Sequence, residues 1–431
     1  MIYKIKAPLS INAAIRLPAS KSISNRVLVL NRLANTNYQL PVSDCALPVS
    51  NLSDSDDTLV LQRALMSSGR DFDVGAAGTS MRFLTAFLAQ QAGEWTITGS
   101  ERMKKRPIKL LVEALRALGA EISYLAQEGF PPLKIAGHTL RGGQITMKGD
   151  VSSQYISALM MIAPHLENGL ELTLEGEIIS MPYLWMTIRL MEEFGVSVNW
   201  SGQTITIRPQ TYKPVPFTVE SDWSAASYWY EIAALAPQST YIDLPELKPS
   251  SIQGDAKVQS LFEQLGVETE PCHCGLDPQS PDSQSQSTEG LRIKTAKPSA
   301  TTMKYDFTNE PDLAQTLVVT CCLLGISFSF TGLQSLRIKE TDRIAALQTE
   351  LHKLGYVVGT SNSAMYWSGE RCKPDKNPVI ATYDDHRMAM AFAPACLAGE
   401  PIRIADPQVV TKSYPKYWDD LKQAGFTIEN C

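Results

Sequence analysis

The sequence has no CxxC pair among its eight cysteines, no long uninterrupted apolar run and no surplus of positive charge. Each absence removes a class. Scattered cysteines argue against a disulfide scaffold and fit thiols kept reduced in a cytoplasm. Cys321 and Cys322, in apolar surroundings, read as buried free thiols. Cys272, His273 and Cys274 lie together, but no second ligand pair stands at zinc-site spacing, so no metal is expected. The first residues, MIYKIKAPLS, lack the apolar core of a signal peptide. The most apolar window, 313–330, is broken by Gln315, Thr316 and Thr320 and reads as a buried helix and strand, not a membrane span. With 39 Lys+Arg against 45 Asp+Glu, the net charge of −6 excludes a nucleic-acid or anionic-membrane binder by bulk charge. There is also no GxxxxGK[ST], HExxH or GxSxG motif, and no GxGxxG after a strand. That speaks against nucleotide hydrolases, zinc proteases, serine hydrolases and dinucleotide enzymes, and no cofactor is expected.

What is present is a globular composition, 44% hydrophobic and 19% charged over 431 residues. At roughly 150 residues per domain, this length predicts two or three domains. An amphipathic helix followed by Gly and a short strand recurs: EALRALGAEI at Gly119, RLMEEFGVSV at Gly195, SLFEQLGVET at Gly266, TELHKLGYVV at Gly355 and DLKQAGFTI at Gly425. QRALMSSGRDF, with Gly69, is a weaker copy. The glycine suits a left-handed helix end. Ahead of each copy lies a helix that is apolar nearly all round, such as SSQYISALMMIA or DLAQTLVVTCCLL, which belongs in the middle of a domain. Six such units, three per domain, predict two similar α/β domains. The break is expected in the proline-bearing stretch 209–216 or just beyond, and the polar, aperiodic stretch 271–290 reads as an inserted surface loop.

The N-termini of the apolar helices carry the unusual residues: KSISNR from Lys21, GAAGTSMR from Gly75, DVSSQ from Asp150, NEPD from Asn309 and DDHR from Asp384. Helix N-termini offer free N–H groups and partial positive charge, and several together make an anion site. Capping accounts for Ser152 or Asp385. It does not account for Lys21, Arg26 and Arg387, which the helix dipole disfavours there and which need anionic partners, either side chains or ligand. Surface-helix starts add RMKKRP before a helix expected to begin at Pro107, RIKETDR from Arg337, and Lys412.

LPASKSISNR, GAAGTSMRFL, ERMKKRPI, GDVSSQYISALM, LRIKETDRI and YDDHRMAMAF closely resemble, in order, the motifs of the 5-enolpyruvylshikimate-3-phosphate synthase family. The resemblance covers nearly the whole chain except 271–290. It implies an inside-out α/β barrel architecture: two domains of three βαβαββ units each, with buried helices and outer sheets. It also implies two crossings between domains, so the expected bounds are 21–220 for one domain and 1–20 plus 221–431 for the other, with the active site in the cleft between them. The implied reaction moves the enolpyruvyl group of phosphoenolpyruvate to the 5-hydroxyl of shikimate 3-phosphate by addition and elimination, in a cytoplasmic monomer whose only partners are these small molecules.

By the same resemblance, Lys21, Gly78, Arg106, Gln154, Arg343, Arg387 and Lys412 hold phosphoenolpyruvate. Ser22, Arg26, Ser152, Ser153, Gln154, Ser180, Tyr183, Asp312 and Lys339 hold shikimate 3-phosphate. Asp312 resembles the base on the 5-hydroxyl, Glu340 and Lys21 are candidates for protonating the methylene carbon, and His386 belongs near them. Two phosphates and two carboxylates demand such a set of cations and N–H donors. Two positions depart from the pattern: Ala76 stands where the family commonly has Asn, and Ser335 where some members have Asn. The sister family that acts on UDP-N-acetylglucosamine uses a cysteine on the loop before a first-domain surface helix; the matching stretch here, 102–107, has none. A non-catalytic polyanion binder would gain nothing from carboxylates at Asp312 and Glu340 in a cationic site.

Overall fold

The computed structural model of the chain describes residues 1–35, 49–237, 240–274 and 288–431. They form two compact units, one continuous (Ala19–Val219) and one discontinuous (Met1–Pro18 with Glu220–Cys431). The crossings lie after Pro18 and after Val219.

One topology recurs in five four-stranded sheets. A strand leads into a buried helix, and the next strand pairs parallel to the first. A surface helix follows, and two further strands close the sheet antiparallel. In the continuous unit, Asp71–Asp73 pairs parallel with Gly93–Thr98, which pairs antiparallel with Leu133–Gly137, which pairs antiparallel with Glu121–Tyr124. The sheet of Gly143–Lys148, Leu170–Glu175, Thr204–Ile207 and Asn199–Ser201 repeats this order. In the discontinuous unit, the sheet of Thr302–Asp306, Ser327–Thr331, Met365–Trp367 and Gly359–Thr360 repeats it again.

The N-terminal residues join the discontinuous unit because two sheets there are short of a strand. Ile2–Lys6 supplies an interior strand of the sheet begun by Val379–Ile380 and Ile402–Ala405, lying between Ile402–Ala405 and Thr427–Asn430. Asn12–Ala14 supplies the first strand of the sheet containing Tyr241–Pro245 and pairs parallel with it. Among the described residues, the sixth copy shows one parallel pair, Val49–Ser50 with Phe217–Thr218.

The buried helices are Lys21–Ala34, Gly78–Ala89 and Ser153–Ile162 in one unit, and Trp223–Leu235, Ala314–Leu324 and His386–Phe392 in the other. Every residue of Gly78–Ala89 is buried. Each large apolar side chain so removed from water contributes about 1.5–3 kcal/mol, and each unit has its own core. The five helix-ending glycines take left-handed φ, from +82° at Gly195 to +107° at Gly119. The weak copy differs. Helix Asp56–Met66 stops at Ser67 in an extended conformation, so Gly69 is no helix end. RMKKRP differs too: it makes a short 3-10 turn, Met103–Lys105, and the helix starts at Lys109 after Ile108, because Pro107 is spent on the approach.

The 271–290 stretch is not loop throughout. Strands Val267–Cys274 and Thr288–Thr295 pair from Val267↔Thr295 to Cys274↔Thr288. Such a ladder needs only backbone N–H and C=O groups, so polar sequence does not forbid it. The remainder of the expected loop, 275–287, lies outside the described residues. Cys272 is disulfide-bonded, against the expectation of thiols throughout. Pairing depends on Cα separations that spacing alone does not reveal. Cys321, Cys322 and Cys396 are buried free thiols. Among the described residues, no helix is long and apolar enough to cross a membrane.

One core residue carries a stability consequence. Glu231, fully buried in Trp223–Leu235, has its pKa raised well above the usual carboxylate range by burial, with the Thr320 hydroxyl only partly opposing. The folded state therefore keeps a proton that the unfolded chain releases near its ordinary pKa, and stability falls as pH rises above that value. Glu231→Gln abolishes this pH dependence. Its melting temperature should gain on the parent's progressively from pH 5 to pH 8; a gap that stays constant with pH sinks the assignment.

Candidate active site

In the continuous unit the three buried helices begin with the residues singled out above. Ser20 caps Lys21–Ala34, accepting from the Ile23 amide at 3.5 Å. This leaves Lys21 in the first turn, where its ammonium lies 3.7 Å from the Asp57 carboxylate. Arg26, one turn on, is 3% exposed. Its guanidinium donates to Thr187 Oγ1 (2.7 Å), the Ser22 carbonyl (2.9 Å), Ser157 Oγ (3.2 Å) and the Tyr183 carbonyl (3.4 Å). Among the described residues no carboxylate pairs with it. Burial lowers its pKa to about 10, so it remains a cation at neutral pH. A buried cation with only neutral acceptors calls for an anion from outside.

Gly78 opens the second helix against Arg106. A Cβ at Gly78 would lie 2.6 Å from Arg106 Nη1 and 3.1 Å from Cζ. Gln154, from the third helix, donates through Nε2 to Thr79 Oγ1 at 3.1 Å, beside Gly78. Ser152 caps that helix and Ser153 is its first residue. Ser180, before Met181–Glu193, is a non-glycine residue at φ +53°. Such strain of about 1–3 kcal/mol collects at functional positions. Tyr183 lies one turn further on. Arg82, which the sequence reading passed over, supports this end of the unit by donating to the Gly78 carbonyl at 2.9 Å.

The discontinuous unit holds a network of charges. Asp312 stands in the short 3-10 turn Pro311–Leu313 before Ala314–Leu324. Arg343, 2% exposed, begins a surface helix capped by Asp342. It donates to three carboxylates: Asp385 Oδ2 from Nε at 2.7 Å, Asp312 Oδ1 from Nη1 at 3.0 Å and Glu340 Oε2 from Nη2 at 2.9 Å. Lys412 Nζ donates to the other Glu340 oxygen at 2.9 Å. Arg387 Nη2 lies 3.0 Å from Asp312 Oδ2, and Lys339 Nζ lies 3.8 Å from Asp312 Oδ1. His386, 2% exposed, has Nδ1 3.7 Å from Asp385 Oδ1.

Burial opposes the charge on Asp312, but Arg387, Lys339 and Arg343 outweigh it and hold its carboxyl well below the usual range. Burial likewise opposes the charge on Arg343, and Asp385, Glu340 and Asp312 reverse that and raise its pKa. Lys339 is lowered, chiefly by burial, with Asp312 opposing.

Sequence reasoning missed two members of this cluster. Asp385 reads as a cap from sequence, and it does accept from the Arg387 amide at 2.9 Å, yet it is also Arg343's closest carboxylate. Asp255 gave no signal at all, being an acid in a turn distant in sequence. It accepts from the Ser224 hydroxyl, which in turn lies 3.4 Å from Arg387 Nη2. Burial, with Asp312 adding repulsion, pushes Asp255 up to about 7.

Two units built on one repeated βαβαββ element, with cations, hydroxyls and carboxylates at the ends of buried helices, define an enzyme class that works on small polyanions through its own side chains. The profile of EPSP synthase (3-phosphoshikimate 1-carboxyvinyltransferase) matches residues 5–421. A 3-phosphoshikimate 1-carboxyvinyltransferase of Bacteroides fragilis is 53% identical over 431 residues, covering 100% of this chain and 99% of that one. One of Vibrio campbellii is 35% identical over 441 residues, covering 96% of each. A solved EPSP synthase structure from Acinetobacter baumannii shares the fold with a TM-score of 0.73 at 21% identity, covering 100% of both chains. The chain belongs to the EPSP synthase family, the 3-phosphoshikimate 1-carboxyvinyltransferases.

Proposed function

We propose that this chain transfers the enolpyruvyl group of phosphoenolpyruvate to the 5-hydroxyl of shikimate 3-phosphate, with the residues of both units acting on one pair of substrates. The observation that carries the reading is the partly buried network of Asp312 and Glu340 with Arg343, Arg387, Lys339 and Lys412. In it, carboxylates able to move protons share cations able to hold phosphate and carboxylate groups.

In the addition step, a proton joins the methylene carbon of phosphoenolpyruvate, and the 5-hydroxyl oxygen bonds to C2. Asp312 takes the hydroxyl proton. In the elimination step, the new methyl group gives a proton back, and the C2–O bond to phosphate breaks. Lys21 and Glu340 serve the carbon's proton, and His386 supports them. Asp312 is a weak base while Arg387 and Lys339 face it. An arriving anion that engages those cations weakens their hold on the carboxylate and raises its basicity at the moment it is needed. Arg343 already serves three carboxylates, so its hold on phosphoenolpyruvate requires that it give up part of this set. Arg26 with Ser22, Ser152, Ser153, Ser180 and Tyr183 takes shikimate 3-phosphate. Arg106, Gly78 and Gln154 take phosphoenolpyruvate with Arg387 and Lys412.

The test is phosphate release from phosphoenolpyruvate with shikimate 3-phosphate as acceptor, set against UDP-N-acetylglucosamine. Release with the first acceptor alone is expected; release with the second alone, or with neither, removes the reading. We further place the enzyme in the cytoplasm as a monomer, which analytical ultracentrifugation checks for the oligomeric state.

Gly78→Ala offers a local test. The three atoms nearest the added methyl all belong to the guanidinium of Arg106, so the guanidinium is what must move. Overfilling a packed site costs about 1–3 kcal/mol, which makes a roughly tenfold rise in KM for phosphoenolpyruvate the expected result. KM for shikimate 3-phosphate and the melting temperature should hardly change. A rise in KM for shikimate 3-phosphate instead would move Gly78 to the other subsite.

A further inference from the structure

The segment that delivers His386 and Arg387 is bent in a way its residues do not favour. Tyr383 and Asp384 are consecutive non-glycine residues, each at φ +55°. An aspartate tolerates this region, but a left-handed tyrosine costs roughly 1–2 kcal/mol, so the conformation at Tyr383 persists only if its surroundings impose it.

The surroundings are one helix, Arg343–Lys353. Its Glu350 is fully buried and accepts from the Tyr383 hydroxyl at 2.6 Å, the Ala381 amide at 3.1 Å and Lys353 Nζ at 2.7 and 2.9 Å. Lys353 Nζ also donates to the Val379 carbonyl at 3.0 Å. At the start of the same helix, Arg343 Nε donates to Asp385 at 2.7 Å. Positions 343 and 350 lie about two turns apart on one face. The helix thus grips the segment at 379, 381 and 383 with one end and at 385 with the other. Asp385 then caps His386–Phe392 through the Arg387 amide.

We propose that Glu350 and Tyr383 are positioning residues that impose the strained turn at 383–384 and so set the orientation of Arg387 and His386 toward phosphoenolpyruvate. This rests on the transfer reaction proposed above for the identity of the anion. Every partner of Glu350 donates to it, which suits the acceptor oxygens of a carboxylate; a glutamine would set its NH2 group against the Lys353 ammonium, which contacts both oxygens. Burial and the Glu350 carboxylate push the Tyr383 hydroxyl up to about 12, so it remains a donor throughout the working pH range. Tyr383 is 39% exposed. Tyr383→Phe therefore removes the hydroxyl with little loss of packing.

Two measurements test this on the full chain. The first is amide hydrogen exchange over 381–388 in the parent, Tyr383→Phe and Glu350→Gln, which needs no substrate. Faster exchange in both variants is expected, more so in Glu350→Gln; unchanged exchange in Tyr383→Phe overturns the imposed turn whatever reaction the enzyme catalyses. The second is steady-state kinetics of Tyr383→Phe, which remains informative even if Glu350→Gln fails to fold. If the hydroxyl's loss lets the turn leave its competent form most of the time, KM for phosphoenolpyruvate should rise about 3–10-fold with KM for shikimate 3-phosphate unchanged. A lower melting temperature with unchanged KM for phosphoenolpyruvate would mark the bond as merely structural and overturn the proposal. A parent protein inactive with both substrates would instead defeat the proposed transfer, and the exchange result would still judge the turn.

Discussion

Asp312→Asn is expected to lower kcat by about 10²–10⁴-fold, the usual worth of a positioned acid or base, while shikimate 3-phosphate still binds. The asparagine keeps the shape and loses both the charge and the site for a proton. Arg387 and Lys339 lose a carboxylate partner, which frees them for substrate anions, so KM for phosphoenolpyruvate should fall or stay level. Glu340→Gln should lose kcat on the same scale. Its neighbours Arg343 and Lys412 keep one acceptor oxygen between them in place of two. Steady-state kinetics with equilibrium binding of shikimate 3-phosphate separate the two effects. Near-normal kcat in both variants would show that neither carboxylate moves a proton in a slow step.

The second large effect is on stability. Arg343→Met leaves Asp312, Glu340 and Asp385 without the guanidinium they share in a buried place. Breaking a buried pair from one side costs about 3–5 kcal/mol, because the remaining charge is left uncompensated. The size should depend on pH in a known direction. In the parent, Asp312 has a depressed folded pKa, so its contribution is present above the unfolded pKa and is lost as pH falls through the folded one. Without Arg343 that depression shrinks, and Asp312 accepts its proton at a higher pH. The loss in melting temperature relative to the parent should therefore be largest above the ordinary carboxylate pKa of about 4 and shrink as pH falls below it. A loss that stays equal from neutral pH down to about pH 3 would mean that lost packing, not charge, dominates. Arg343→Lys should fall between, since an ammonium lacks the planar fork that reaches three carboxylates.

Much of this molecule is legible in its sequence because two signals are local. The buried helices are apolar all round, and a helix with no polar face has only the interior of a domain to occupy. The five glycines from Gly119 to Gly425 end helices because left-handed φ is cheap only for glycine. The repeat follows from these two features, and with it the α/β class. The placement of Lys21, Arg26 and Arg387 near the starts of buried helices was likewise readable, since cations there contradict the helix dipole and need a reason.

Tertiary structure alone decided the rest. That Ile2–Lys6 completes a sheet with Ile402–Ala405 depends on a pairing some 400 residues apart, for which strand periodicity gives no register. That Arg26, among the described residues, donates to neutral acceptors alone, while Arg343 donates to three carboxylates, is invisible along the chain. Asp255 near Arg387, and Glu350 beneath the 383–384 turn, come from elements whose sequences carry no mark of the site. The physical reason is one of range. Propensity and capping act within a few residues and leave a pattern along the chain. Charge compensation acts over a few ångströms of space, whatever the separation along the chain, and only the folded arrangement says which groups share that space.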